Sequence, residues 1–268
     1  PRWGDTVPEG RRILMVDDDA LILEAVADML TARDYQVTKA MDGLEALEQF
    51  RGNPFDLAIV DVVLPKIDGH ELCRLIRQDE RGRLLPIIAF TALGPQDVAK
   101  LPGLSADAYV AKGPLTVVFP NILDAIKSVQ SSRRGRQSPQ RIFGFEGFRS
   151  RQIVSELFAL NQYRQRLVHS LSEVVIELDT HAKILSANLM ALRVLGRSEA
   201  EVTGLVFTDL LTPGDRAVFE RFLSQTSRDS LQTAAATEVR LANGEHRLLC
   251  RPVLDNGEIL GFLVTTGA

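Results

Sequence analysis

The chain has 268 residues, 45% of them hydrophobic, and a formal net charge of −4. That length suits two domains plus a connector, and so mild an acidity provides no field that would favour nucleic acid or a membrane surface. No apolar run approaches the roughly 20 residues of a membrane span, and the first ten residues hold no signal-peptide core, so a cytoplasmic protein without nucleic-acid or membrane partners is expected. The chain does not start with Met, which points to a trimmed or partial sequence. Cys73 and Cys250 lie far apart and read as reduced core residues rather than a disulfide.

Four short apolar runs each end on a polar residue. Ile13-Leu14-Met15-Val16 runs into Asp17-Asp18-Asp19, Leu57-Ala58-Ile59-Val60 into Asp61, Ile87-Ile88-Ala89-Phe90 into Thr91, and Ala108-Tyr109-Val110-Ala111 into Lys112. Helical patterns fall at about 20–32, 43–50, 69–77 and 119–129. The alternation predicts βα units: a parallel sheet with helices on both faces. In such a sheet the ligand crevice lies at the carboxyl ends of the strands. Acids, a hydroxyl and an ammonium would therefore meet in one pocket. Clustered carboxylates repel unless a cation joins them or one takes a proton. Oxygen ligands select Mg²⁺ or a similar hard ion. A carboxylate can attack a phosphoryl group, and a lysine can neutralise its oxygens. A solvated strand end explains any single acid here, but the ordered set is harder to obtain by chance. A phosphohydrolase with its nucleophile on the first strand is the competing chemistry, but it leaves the Asp61–Gly69 stretch without a role.

Residues 131–148 read as a polar, basic linker, from Ser131-Ser132-Arg133-Arg134 onward. From Gln152 to Glu173 the pattern predicts one uninterrupted helix. Ile153, Leu157, Leu160, Arg164, Leu167 and Leu171 recur at spacings of four and three, a short heptad seam. A parallel dimer helix is expected there, and a helix packed on its own domain is the alternative. Beyond it, strands are predicted at 174–178, 183–186, 237–241, 247–253 and 259–265. Asp179-Thr180-His181-Ala182, Asn243-Gly244 and Asp255-Asn256-Gly257 mark the turns. This half is α+β.

The first half resembles a response-regulator receiver domain. The likeness rests on Asp17-Asp18-Asp19, on Asp61-Val62-Val63-Leu64-Pro65-Lys66-Ile67-Asp68-Gly69, on Phe90-Thr91-Ala92 and on Ala106-Asp107-Ala108-Tyr109-Val110-Ala111-Lys112. It implies a flavodoxin-like, doubly wound, five-stranded parallel sheet over residues 11–130. It implies that Asp61 accepts a phosphoryl group from a histidine kinase or phosphotransfer protein. Asp18, Asp61 and the Val63 carbonyl would ligate Mg²⁺, with Asp17 acting through water. Thr91 would be the switch hydroxyl, Lys112 the phosphate contact and Tyr109 the rotameric aromatic. Two departures stand out. Gly113 separates Lys112 from Pro114, and Gly94-Pro95 with Pro102-Gly103 crowd the segment between the fourth and fifth strands. That segment is expected to form a short or irregular helix. Val63 and Leu93, two residues past Asp61 and Thr91, are apolar and cannot position an attacking water, so slow loss of the phosphoryl group is expected.

The second half resembles a PAS domain over 174–268. The cues are Ile184-Leu185-Ser186-Ala187-Asn188, Glu201-Val202-Thr203-Gly204, Leu211-Thr212-Pro213-Gly214-Asp215-Arg216 and Gly261-Phe262-Leu263-Val264. This implies a five-stranded antiparallel sheet and a homodimer formed through the preceding helix, taken as 149–173. Haem would need an axial ligand, and His169, His181 and His246 fall on the connector helix or near turns. Cys250 lies within a strand. No PAS cofactor is expected. Together the resemblances imply a two-component signalling protein, which a histidine kinase module could extend; whether this chain has enzymatic turnover of its own is left open. The alternative is a receiver–PAS interaction module that is never phosphorylated.

Overall fold

A computed structural model describes residues 10–92, 106–131, 141–144, 152–226, 236–242 and 246–266, apart from the side chains of 141 and 152–158. The expected irregular helix between the fourth and fifth strands, Leu93 and the Asn243-Gly244 turn lie outside these residues. So do the side chains of Ile153 and Leu157. The chain divides into two units, 1–160 and 161–268.

In the first unit the chain order is β1 (Arg12–Val16), α1 (Ala20–Thr31), β2 (Gln36–Ala40), α2 (Gly43–Gly52), β3 (Leu57–Asp61), α3 (Gly69–Gln78), β4 (Ile87–Thr91), β5 (Ala108–Ala111), α4 (Leu115–Ser131) and β6 (Arg141–Phe143). The strands form one parallel sheet in the order β2-β1-β3-β4-β5-β6. Alternate residues of the buried strands face opposite layers. Ile13, Met15, Ile59, Ile88 and Phe90 pack with Leu23 and Val26 of α1 and with Val118, Ile122 and Ile126 of α4. On the other face α2 and α3 pack together and against β1 and β3. Each fully buried aliphatic side chain contributes about 1.5–3 kcal/mol.

Three expectations need correction. Among the described residues the sheet has six strands, not five: β6 arises inside the stretch read as linker and pairs with β5 through Ala108–Arg141, Tyr109–Ile142 and Val110–Phe143. Its apolar Ile142-Phe143 pair is too short to stand out from a basic segment. The last helix of this unit starts at Leu115 rather than Phe119, and carries Pro120 inside it. The helix runs on through it to Ser131, although Pro both removes an amide and crowds the preceding turn. Finally, the connector helix α5 (Gln152–Ser170) stops before Leu171, not at Glu173.

Asn188 supplies the reason for that early stop. Its buried Nδ2 donates to the carbonyls of Glu173 at 2.7 Å, Val168 at 3.3 Å and Leu171 at 3.4 Å. Its Oδ1 accepts from Val175 N and Ala191 N, at 3.1 and 2.9 Å. One side chain thus draws the chain out of α5, starts β7 (Val175–Leu178) and caps α6 (Leu189–Leu195). Asn188→Ala is expected to cost the second unit about 2 kcal/mol, one cap plus one buried hydrogen bond. Hydrogen exchange at Val175 and Ala191, followed through denaturant, would measure it.

The second unit continues through β8 (Ile184–Ala187), α7 (Glu199–Val202), α8 (Pro213–Thr226), β9 (Thr237–Arg240), β10 (Arg247–Asp255) and β11 (Glu258–Thr266). Its antiparallel sheet has the order β8-β7-β11-β10-β9, five strands as expected. The β10–β11 turn places Asn256 at φ 48° and Gly257 at φ 86°, the double positive φ that makes Asn-Gly a hairpin signal. Phe207, Phe219, Val264 and Cys250 are buried in its core.

Candidate functional site

The carboxyl ends of β1, β3, β4 and β5 deliver their last side chains to one end of the sheet. Asp17 follows β1 and is fully buried. Asp61 closes β3 at 4% exposure, Thr91 closes β4 at 0%, and Lys112 follows β5. Lys112 Nζ donates to Asp61 Oδ2 at 2.7 Å and to Asp17 Oδ1 at 2.9 Å. The ammonium also lies 5.3 Å from the centre of the Phe90 ring. Asp18, next in the chain, is exposed at the mouth. Ligand oxygens of Asp17, Asp18 and Asp61 lie within 4.8 Å of one another.

Each acid is held by the backbone around it. Asp61 Oδ1 accepts from Val63 N at 3.1 Å, and Asp17 Oδ1 from Asp19 N at 3.0 Å. Asp19, the third acid of the run, turns away from the pocket: its Oδ1 caps α1 through Leu21 N and Ile22 N. The sequence pattern did not separate it from its neighbours, although Asp directly before an apolar helix is a capping signal. A second unforeseen contributor is Gly69. A Cβ there would lie 1.8 Å from the Asp61 carbonyl oxygen, so α3 starts pressed against the backbone of the buried acid.

Burial dominates the electrostatics. It pushes the Asp61 carboxyl up to about 6; Lys112 opposes the rise and Asp17 adds to it. Asp17 is raised by burial as well, against the pull of Lys112. Burial alone would lower Lys112, but Asp61 and Asp17 outweigh it and hold the ammonium charged. One ammonium therefore serves two buried carboxylates. Asp17 Oδ2 has Nζ 2.8 Å away, yet makes no well-aligned hydrogen bond. A buried acceptor with lone pairs to spare, two further acids and only oxygen donors fit a hard divalent cation.

The remaining candidates fall elsewhere. Tyr109 is fully buried in β5, and burial pushes its hydroxyl up to about 12. Val63 is 42% exposed beside the acids. Leu160, Leu167 and Leu171 are exposed at 63%, 49% and 50% and belong to no part of the acid pocket. Cys73 and Cys250 are both buried free thiols. Among the described residues no helix is long and apolar enough to cross a membrane.

Comparison with known proteins adds a family to this geometry. Residues 13–117 match the model of the response regulator receiver domain, and residues 162–266 that of the PAS fold. The polar-differentiation response regulator DivK of Brucella ovis is 31% identical over 119 residues, 44% of this chain and 94% of that protein. A probable transcriptional regulator, ycf27 of Guillardia theta, is 42% identical over 104 residues, 38% of this chain and only 39% of that protein. Among solved structures, the receiver domain of the sensor histidine kinase PA1611 of Pseudomonas aeruginosa, with magnesium in its active-site cleft, is 31% identical. It covers 44% of this chain and 98% of its own, with a TM-score of 0.40.

Proposed function

The chain belongs to the response-regulator receiver family, with a PAS fold as its second domain, and on that premise we propose that Asp61 is a phosphoacceptor whose state is passed on through a dimeric PAS domain. The receiver relatives, together with a PAS domain in the same chain, support two-component signalling. The observation that carries the finer reading is the meeting of three acids within 4.8 Å beside an ammonium 2.7 Å from Asp61.

Asp17, Asp18, Asp61 and the Val63 carbonyl would hold Mg²⁺, which when bound supplies positive charge to phosphoryl oxygens. The steps left to the chain are those of its own residues. An Asp61 carboxylate oxygen attacks the phosphorus of a phosphohistidine on a kinase or phosphotransfer protein. The P–N bond breaks, and its electron pair leaves with the imidazole, which takes up a proton. Lys112, already beside Asp61, meets the transferred oxygens as a point charge, and the Thr91 hydroxyl is the donor on the neighbouring strand. Tyr109 on β5 follows the change at Thr91. Leu160 and Leu167 on α5, with Leu171 just past its end, would form the dimer seam, and Ile153 and Leu157 would extend it by their spacing in the sequence. The exposure of Leu160, Leu167 and Leu171 in the single chain supports that assignment.

Incubation with acetyl phosphate and Mg²⁺ is expected to add one phosphoryl group per chain by mass spectrometry, and Asp61→Asn to abolish it. With apolar Val63 beside the acceptor, the adduct should persist for minutes or longer. No adduct under any small donor would refute the acceptor, and loss within seconds would refute the shielding.

A further inference from the structure

We propose, resting on the dimeric reading above, that Glu177 on the PAS sheet is the counter-ion that lets Arg164 stand inside the helical seam, and that the face carrying both fits a second copy of this chain in parallel. Over its described side chains α5 is amphipathic the wrong way round for a helix packed on its own domain. Leu160, Tyr163 and Leu167 are exposed at 63%, 58% and 49%. The half-buried positions, apart from Val168, are polar: Asn161, Gln162, Gln165 and His169. A helix that served only its own domain would bury the leucines instead. Leu160, Arg164, Leu167 and Leu171 follow spacings of four, three and four. That heptad makes Leu160 and Leu167 d positions and Arg164 an a position, and in a parallel pair a faces a. Two copies therefore bring one Arg164 against the other.

The single chain already holds what offsets that repulsion. Arg164 Nη1 donates to Glu177 Oε1 at 3.2 Å. Ile176 and Leu178, on either side of Glu177, are 0% and 2% exposed in the PAS core, so Glu177 points to the other face of the sheet. The β7–β8 register shifts between Glu177 and Leu178, an irregularity of the kind that re-aims a side chain. The second oxygen of Glu177 accepts from Ser186 Oγ on β8 at 2.9 Å. The acid is thus tied to two strands while it reaches the helix. In the single chain the Arg164 side chain is 59% exposed, and so open an ion pair contributes little. A partner helix would take the guanidinium out of water, where the loss of its counter-ion is costly. Such a layer needs an acid from each side. Each copy of this chain brings its own, as twofold symmetry requires, which favours a second copy over an unrelated helix.

Sedimentation equilibrium of the full chain, with no phosphoryl donor present, reads the dimer constant of wild type, Glu177→Gln, Arg164→Leu and the double variant. Glu177→Gln keeps the shape and an acceptor for Ser186, and should weaken the dimer about fivefold. Arg164→Leu makes the layer apolar and should tighten the dimer about tenfold or more. In that background Glu177→Gln should change it by less than about twofold. Arg166→Gln, which removes an exposed cation outside the heptad seam, should also stay within about twofold of wild type. Should Glu177→Gln fail to fold, Arg164→Leu still tests the layer. A wild-type chain that stays monomeric at every concentration removes the dimeric reading itself. A dimer that Glu177→Gln leaves unchanged, or weakens equally with and without Arg164, overturns the counter-ion alone. So does a dimer that Arg164→Leu fails to tighten.

Discussion

Gly69→Ala is expected to be among the most damaging single-methyl changes in the receiver. The added Cβ would lie 1.8 Å from the Asp61 carbonyl oxygen, 2.8 Å from its carbon and 2.9 Å from the Val62 Cα. These are backbone atoms of a strand end buried on both faces, so no side chain can swing away. Either α3 lifts off the sheet or the end of β3 moves. A cost of about 3 kcal/mol or more is expected, at the upper end of overpacking effects. Phosphoryl labelling of Asp61 should fall with it, because the carboxylate moves with its own carbonyl. Gly113→Ala is the internal control: nothing lies within 4 Å of a Cβ there, so its melting temperature should stay within a degree or two of wild type. Equal melting temperatures for the two variants would contradict this account of the site.

Asp61→Asn should make the cation-free protein more stable at neutral pH while destroying the acceptor. The Asp61 carboxyl has an ordinary value of 3.8 and is pushed up to about 6 in the folded chain, with burial the main cause. Between those values the folded chain holds more protons than the unfolded one, so stability falls as pH rises through that window. Below about 4 no penalty exists; above about 6 it is complete, of order 3 kcal/mol for a shift of about two units. Asp17 is raised too and acts in the same direction. The neutral amide removes most of the Asp61 share and flattens the pH dependence between 4 and 6. Added Mg²⁺ should reverse the order, stabilising wild type above pH 6 and leaving Asp61→Asn nearly unmoved. Denaturant melts in chelator and in Mg²⁺, from pH 4 to 8, would measure both arms. An Asp61→Asn chain less stable than wild type in chelator at pH 7 would refute the burial argument.

Legibility varied along the chain for physical reasons. Strands β1, β3, β4 and β5 are covered on both faces, so each reads as an unbroken apolar run, and the residue that ends the run names the pocket. Asp17, Asp61, Thr91 and Lys112 could therefore be placed from sequence. Strand β2, Gln36-Val37-Thr38-Lys39-Ala40, lies at the sheet edge and is half polar, so it was supplied by family resemblance alone. Strand β6 was missed because three residues carry no period. The end of α5 could not be read locally, since it is set by Asn188, eighteen residues beyond Ser170. Nor could the role of Gly69, whose importance is an approach between two backbones. The turn at Asn256-Gly257 was readable because its geometry is a property of those two residue types.

The grip of Lys112 on both Asp17 and Asp61 has one more consequence. Before any metal arrives, the cavity already contains a resident cation, tethered and permanently present. A divalent ion entering as proposed would not fill a vacuum but displace a tenant, at least from Asp17. Its dissociation constant would then be the outcome of that contest rather than a property of the oxygen ligands alone. On the proposed reading, the same contact that keeps the acids mutually tolerable without a metal would loosen the hold of the pocket on magnesium.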